Sequence, residues 1–245
     1  MTRIITIANH KGGSGKTTTT LALAQLATIK GKRVLCIDLD CQANLTIALC
    51  GNPMQNTAYE SITKLEPIHE VQKTKQNIDL ITGSRELFGL STYEGSGTRL
   101  KCVINDIVGN YDLVFIDTPP TLLECQLNAM QASTDVIYAI GPSLFDIQGF
   151  ISLWHIADYV KVNGNPTLNM TGYILTNFNG RSKIAKHLQA SIQAQTGKVD
   201  LPCLGIVRQA VAVREAQTLG QSLYEYAPNC TVAKDYQAIY EKLGL

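Results

Sequence analysis

Lys16 and Thr17 stand at the end of a glycine-rich run, Lys11-Gly-Gly-Ser-Gly-Lys-Thr-Thr18, and residues of these types in this order are suited to holding a polyphosphate. Successive backbone N–H groups in such a loop form a nest for anions, and a helix starting at the loop adds its positive end. Gly12, Gly13 and Gly15 allow close approach and positive φ, while Ser14 completes the loop. An ammonium at Lys16 would reach the β- and γ-phosphates, the Thr17 hydroxyl would ligate Mg²⁺, and Thr18 would add a hydroxyl near the α-phosphate. The literal G-x-x-x-x-G-K-[ST] spacing fails at one place, because its first glycine falls on His10. A second lysine, Lys11, stands beside it. The chemistry expected is ATP binding with magnesium.

Hydrolysis also needs groups that hold the metal and orient water. The run YDLVFIDTPP is an apolar strand ending in Asp117, whose carboxylate would hold Mg²⁺ through a water at the C-terminal edge of a sheet. Pro119 and Pro120 end that strand and stiffen the loop beneath the γ-phosphate. The run RVLCIDLDCQANLT ends a second strand with Asp38 and Asp40. At period two both side chains face one side of the sheet, and two neighbouring acids repel each other without a cation. They are therefore read as parts of the same site.

The elements that must position these groups alternate along the chain. Strands are expected at Ile4–Asn9, Arg33–Asp40, Ile78–Thr82, Leu113–Asp117, Val136–Ile140, Thr171–Thr176 and Leu204–Val207. Helices are expected at Lys16–Lys30, Leu100–Val108, Leu122–Gln131, Gly149–Val162, Ser182–Thr196 and Val232–Leu243. Continuous apolar runs such as VLCID and LVFID fit strands covered on both faces. The pattern predicts an α/β fold of the P-loop NTPase type: a mostly parallel, twisted sheet flanked by helices on both faces. Residues 51–76 carry little periodicity and are expected to hold short helices and loops. With no linker or repeat, one domain spanning 1–245 is expected.

Bulk properties exclude several classes. A net charge of +1 gives no global pull toward nucleic acid or membrane, so such binding needs a local patch. No apolar run is long enough to span a bilayer, and the first residues read as a strand and not as a signal peptide. A cytoplasmic location is expected. The seven cysteines form no C-x-x-C pair, which suits reduced thiols. Arg181, Lys183 and Lys186 form a basic cluster opening a helix pattern, with Arg208 and Arg214 further on. These are the candidate DNA-binding residues, against the alternative of a solvated helix face.

Taken together, KGGSGKTT, IDLDCQANLT and VFIDTPP make the sequence resemble the ParA/MinD group of deviant Walker ATPases, ParA-type partition proteins most closely (Soj-like, with no N-terminal DNA-binding domain). The resemblance extends through DVIYAIGPSLFDIQGF, GYILTNF and VREAQTLGQSLYEYAPNCTVAKDYQAIYEKL, nearly the whole chain. It implies that Lys11 is a signature lysine contacting the nucleotide of a partner subunit, that Asp40 positions the attacking water, and that Asp38 and Asp117 lie at the metal. It also implies that Asn177 reads the adenine ring, with Leu201–Val207 near the other face of the base. Two positions depart from the pattern: His10 stands where relatives often have Gln, and a frequent IPR tripeptide appears as Ile206-Val207-Arg208.

What such a resemblance implies is an ATP-dependent homodimer that binds DNA without sequence preference and hydrolyses ATP slowly. A ParB-like centromere-binding partner would stimulate it and so drive partition of a plasmid or chromosome region. The alternatives are a relative that positions another cargo, and a MinD-like membrane regulator. The mixed-charge end AKDYQAIYEKLGL, lacking a basic amphipathic face, speaks against the latter. A nitrogenase-reductase-like electron carrier would need cluster cysteines. Cys102 and Cys125 are nearest by order but lack glycine-rich surroundings.

Overall fold

All five residues of β2 (Val34–Asp38) and all five of β5 (Leu113–Asp117) are buried, as continuous apolar runs foretell. Their side chains alternate between two faces: Val34 and Cys36 join one apolar cluster, Leu35 and Ile37 another. The computed structural model describes residues 1–51, 58–93, 95–121, 123–178, 190, 192, 194 and 201–245. Among these, eight strands form one sheet in the order β3-β4-β2-β5-β1-β6-β7-β8. The others are β1 (Arg3–Ala8), β3 (Gln72–Lys73), β4 (Ile78–Ile81), β6 (Asp135–Ile140), β7 (Asn169–Phe178) and β8 (Cys203–Arg208). All neighbours pair in parallel except β3, which runs against β4.

One face is covered by α1 (Lys16–Ile29), α2 (Asn44–Cys50), α9 (Leu223–Tyr226) and α10 (Thr231–Lys242), whose Leu23, Leu45, Leu223 and Tyr236 share a core with Ile5, Ile7, Phe115 and Ile137. The other carries α3 (Ala58–Lys64), α4 (Arg99–Val103), α5 (Asn105–Val108), α6 (Leu123–Ala132) and α7 (Leu144–Asn163). The last short helix, α8 (Val211–Thr218), borders the cleft at the sheet's C-terminal edge. The expected class, with helices on both faces of a mostly parallel sheet, is what the chain forms.

Several boundaries differ from expectation. The strand expected to reach Asp40 stops at Asp38, because the Asp38 carboxylate accepts the Asp40 N–H at 3.0 Å and turns the chain out of the ladder. The helix expected over Leu100–Val108 is interrupted at Ile104. Helix α7 begins at Leu144, five residues before the expected Gly149, because Ser143 and Asp146 form a capping box. The helix expected over Ser182–Thr196 lies largely outside the described residues, although 190, 192 and 194 are helical.

Candidate active site

The phosphate loop leaves β1 at the sheet centre and enters α1. Gly13 and Gly15 both adopt the left-handed conformation, with φ of 75° and 82°. A Cβ on Gly15 would lie 3.2 Å from Thr176 Cβ, so β7 packs directly beneath the loop. From β7 the Thr176 hydroxyl donates to the Ser14 carbonyl at 2.6 Å, and Asn177 Nδ2 donates to the Gly13 carbonyl at 3.1 Å. Asn177 itself is left-handed, with φ of 59°. The residue expected to read the base therefore also secures the loop.

Around this loop opens a cleft of about 750 Å³. Gly12, Gly13, Lys16, Thr17 and Thr18 line its floor, and Asp40 and Pro120 line one side. Asn177 and residues 207–210 line the other, together with Val213, Arg214, Gln217 and Thr218 of α8. Sequence reasoning missed α8 altogether. Its Gln217 Nε2 donates to Thr18 Oγ1 at 3.4 Å, which ties this wall to the loop.

Charge is concentrated beneath the floor. Lys16 is nearly buried, its ammonium donating to the Lys11 carbonyl at 3.0 Å. Burial lowers its pKa, opposed by the charges of Asp117, Asp40 and Asp146. Asp38 and Asp117 are fully buried and lie side by side in the register of β2 with β5. Burial, and then the charge of Asp38, push Asp117 up to about 8, against the hydrogen bond from Thr17 and the charge of Lys16. Burial likewise raises Asp38 to about 6, although it accepts bonds from the Thr46 N–H and hydroxyl and from the Asp40 N–H.

This arrangement calls for a cation. Asp117 Oδ2 accepts the Thr17 hydroxyl at 2.6 Å, while its Oδ1 is buried with no partner. Among the described residues no cluster of His, Cys, Asp or Glu could enclose a metal by itself. Magnesium takes one or two protein oxygens and completes its shell with water and phosphate. Thr17 and Asp117 could hold it. Both Asp38 oxygens serve the turn to Asp40 and the start of α2, so its contribution is chiefly to the local field. Asp40 sits at the cleft with Oδ1 accepting the Gln42 N–H at 2.9 Å.

Lys11 points elsewhere. Its ammonium donates to Ser143 Oγ at 2.8 Å and to Asp146 Oδ2 at 3.0 Å, the capping pair of α7, and its side chain remains 42% exposed. Beside this pair Phe145 is 72% exposed.

Of the residues expected to bind DNA, Arg208 pairs bidentately with Asp235 at 2.6 and 3.0 Å, so its charge is locally neutralised. Arg214 lines the cleft. Arg181, Lys183 and Lys186 lie outside the described residues.

Comparison with known proteins agrees with this geometry. A family profile described as AAA domain matches residues 2–170. The chain is 30% identical to the chromosome-partitioning ATPase Soj of Thermus thermophilus, over 98% of this chain and 95% of that one. Its fold matches that of apo McdA from Cyanothece with a TM-score of 0.89 over the full length of both chains, at 24% identity. It also matches the cobyrinic acid a,c-diamide synthase of Mycobacterium smegmatis with bound ADP and magnesium. There the TM-score is 0.76 at 28% identity, covering 89% of this chain and 93% of that one. With a two-lysine phosphate loop, a buried acid pair and a match along nearly its whole length, the chain belongs to the ParA/MinD family of ATPases, on its Soj-like side, and uses ATP with magnesium.

Proposed function

We propose that this ATPase works as a switch: ATP joins two copies face to face, the dimer binds DNA without sequence preference, and hydrolysis releases it, driving partition of a plasmid or chromosome region. The observation that carries this reading is the posture of Lys11. Its ammonium is held by Ser143 and Asp146 at the start of α7, whereas Lys16 lines the cleft floor and would serve the chain's own phosphates. A second lysine turned away from the chain's own phosphate floor suits the nucleotide of a facing copy, where two stacked polyphosphates need extra positive charge. The name of the Thermus relative, a chromosome-partitioning ATPase, favours DNA as the cargo.

Lys16 and the loop N–H groups bind the phosphates, and Asp40 orients the attacking water. Thr17 and Asp117 hold magnesium, which when bound neutralises charge on the phosphoryl oxygens. Turnover is slow until a ParB-like centromere-binding partner engages the dimer. The test is binding to a random-sequence DNA duplex with ATP, with ADP and without nucleotide. ATP-dependent retention that weakens steeply with salt is the expected result. Binding that ignores the nucleotide, or none at all, would overturn the DNA step. Capture by liposomes in its place would point to a membrane surface.

A further inference from the structure

His10 occupies the position of the missing first glycine, and nothing so far explains an imidazole there. Its Nδ1 lies 2.9 Å from the carbonyl oxygen of Pro120, a residue that lines the cleft three positions beyond Asp117. Because a carbonyl only accepts, Nδ1 must carry the proton. Proline has no N–H, so residues 119 and 120 can be held only through their carbonyls. Gln126 of α6, fully buried, donates Nε2 to both, at 3.1 Å to Pro119 and 3.3 Å to Pro120. The Pro120 carbonyl is thus gripped from two sides, by the phosphate loop and by α6.

His10 is itself fixed from behind. Its neighbour Asn9 is fully buried, donating Nδ2 to the Ala139 carbonyl at 2.5 Å and accepting the Lys11 N–H through Oδ1 at 3.1 Å. A Cβ on Gly149 would lie 2.9 Å from Asn9 Oδ1 and 3.2 Å from His10 Cβ, so α7 presses its bare backbone against this pair. The base of the His10 side chain is thus closely packed, and its ring adds a side-chain link between the phosphate loop and residue 120 beyond the β1–β5 ladder.

We propose that His10 is a positioning residue for hydrolysis: its Nδ1–H bond to Pro120 couples the phosphate loop to the 117–120 segment, so that the segment follows the terminal phosphate. The proposal rests on the ATPase reading for its kinetic consequence but not for its geometry. Removing the bond loosens the metal-side segment without touching the groups that bind the α- and β-phosphates. It therefore acts on kcat and on the preference for ATP over ADP, while ADP affinity holds.

The test combines kinetics with a spectroscopic signature. His10→Ala is expected to lower kcat roughly tenfold and to narrow the ATP-over-ADP affinity ratio, with ADP affinity within about twofold of wild type. His10→Asn, whose amide nitrogen can reach the place of Nδ1, is expected to recover most of the loss. If His10→Ala keeps both kcat and the affinity ratio, or if Asn rescues no better than Ala, the coupling role is overturned. Nitrogen NMR of histidine-labelled wild-type protein, read on the neutral ring, is expected to show the Nδ1–H tautomer for His10. An Nε2–H tautomer would sink the proposal even if the protein proves to be an ordinary ATPase, and a protein without turnover would leave the tautomer result to decide.

Discussion

The two edges of the sheet treat their acids in opposite ways. At the C-terminal edge Asp38 and Asp117 are fully buried, face each other across paired strands, and are pushed up to about 6 and about 8, chiefly by burial. At the N-terminal edge burial alone would raise Asp135, but bonds from Arg3, Thr134 and Thr171 outweigh it and hold the carboxyl below its usual range. Nearby, hydrogen bonds from Arg33 pull exposed Asp112 down to about 2. Arg3 also reaches the Leu243 carbonyl at 2.8 Å, joining the first strand to the segment after α10. One edge is satisfied within the protein, whereas the other holds buried carboxyls whose ionisation is disfavoured as they stand and would be favoured by a bound cation. The candidate site lies at the edge whose electrostatics are incomplete.

The sharpest way to break this contrast is Lys16→Ala. Loss of the one ammonium in the acid cluster should weaken ATP binding by more than about a hundredfold, the equivalent of roughly 3 kcal/mol of charged hydrogen bonding. Calorimetric titration with ATP would measure it, and retained affinity would mean the cleft binds its ligand elsewhere. Next comes Asp117→Asn. Removing a buried carboxylate should cut magnesium-dependent turnover severely, yet stabilise the nucleotide-free protein by about 1–3 kcal/mol in urea denaturation. If that variant is less stable, the C-terminal edge is no site of strain.

The smallest effect is expected at the other edge. Asp135→Ala should cost about 1–3 kcal/mol of stability and leave ATP affinity unchanged. Here the pH dependence has a definite sign. A carboxyl whose folded pKa lies below its unfolded value stabilises the protein above pH about 4, and that contribution disappears as pH falls through the folded pKa. Wild type should therefore lose stability on acidification below that point more steeply than Asp135→Ala. Equal slopes would show that the Arg3 network contributes nothing.

Local patterns carried much of this architecture. VLCID and LVFID announce strands buried on both faces, and the glycine loop with Lys16 and Thr17 announces the floor of the cleft. Contacts between distant segments were not legible. The sequence VAVREAQT is amphipathic but only eight residues long, with Ala216 its one buried residue, so too few turns mark it as α8. Strand β3 is two residues long and exists by pairing alone. The capping box at Ser143 and Asp146 was readable by spacing, but its acid is Asp where Glu or Gln is the usual signal. No spacing rule foretells that Asp38 turns its oxygens to Thr46, or that His10 meets Pro120, 110 residues away.

The sheet order also bears on how this chain is made. β1 lies between β5 and β6, so Ile4 meets Val114 on one side and Ile5 meets Asp135 on the other. A ribosome delivers residues in order, and pairing between such distant segments waits for both to emerge. The phosphate loop is made before either neighbour, so its supporting strand stays unpaired until residues 113–140 have followed. Strands β2, β3 and β4 can pair among themselves before then, but the strand that carries the nucleotide-binding loop has no partner on either side.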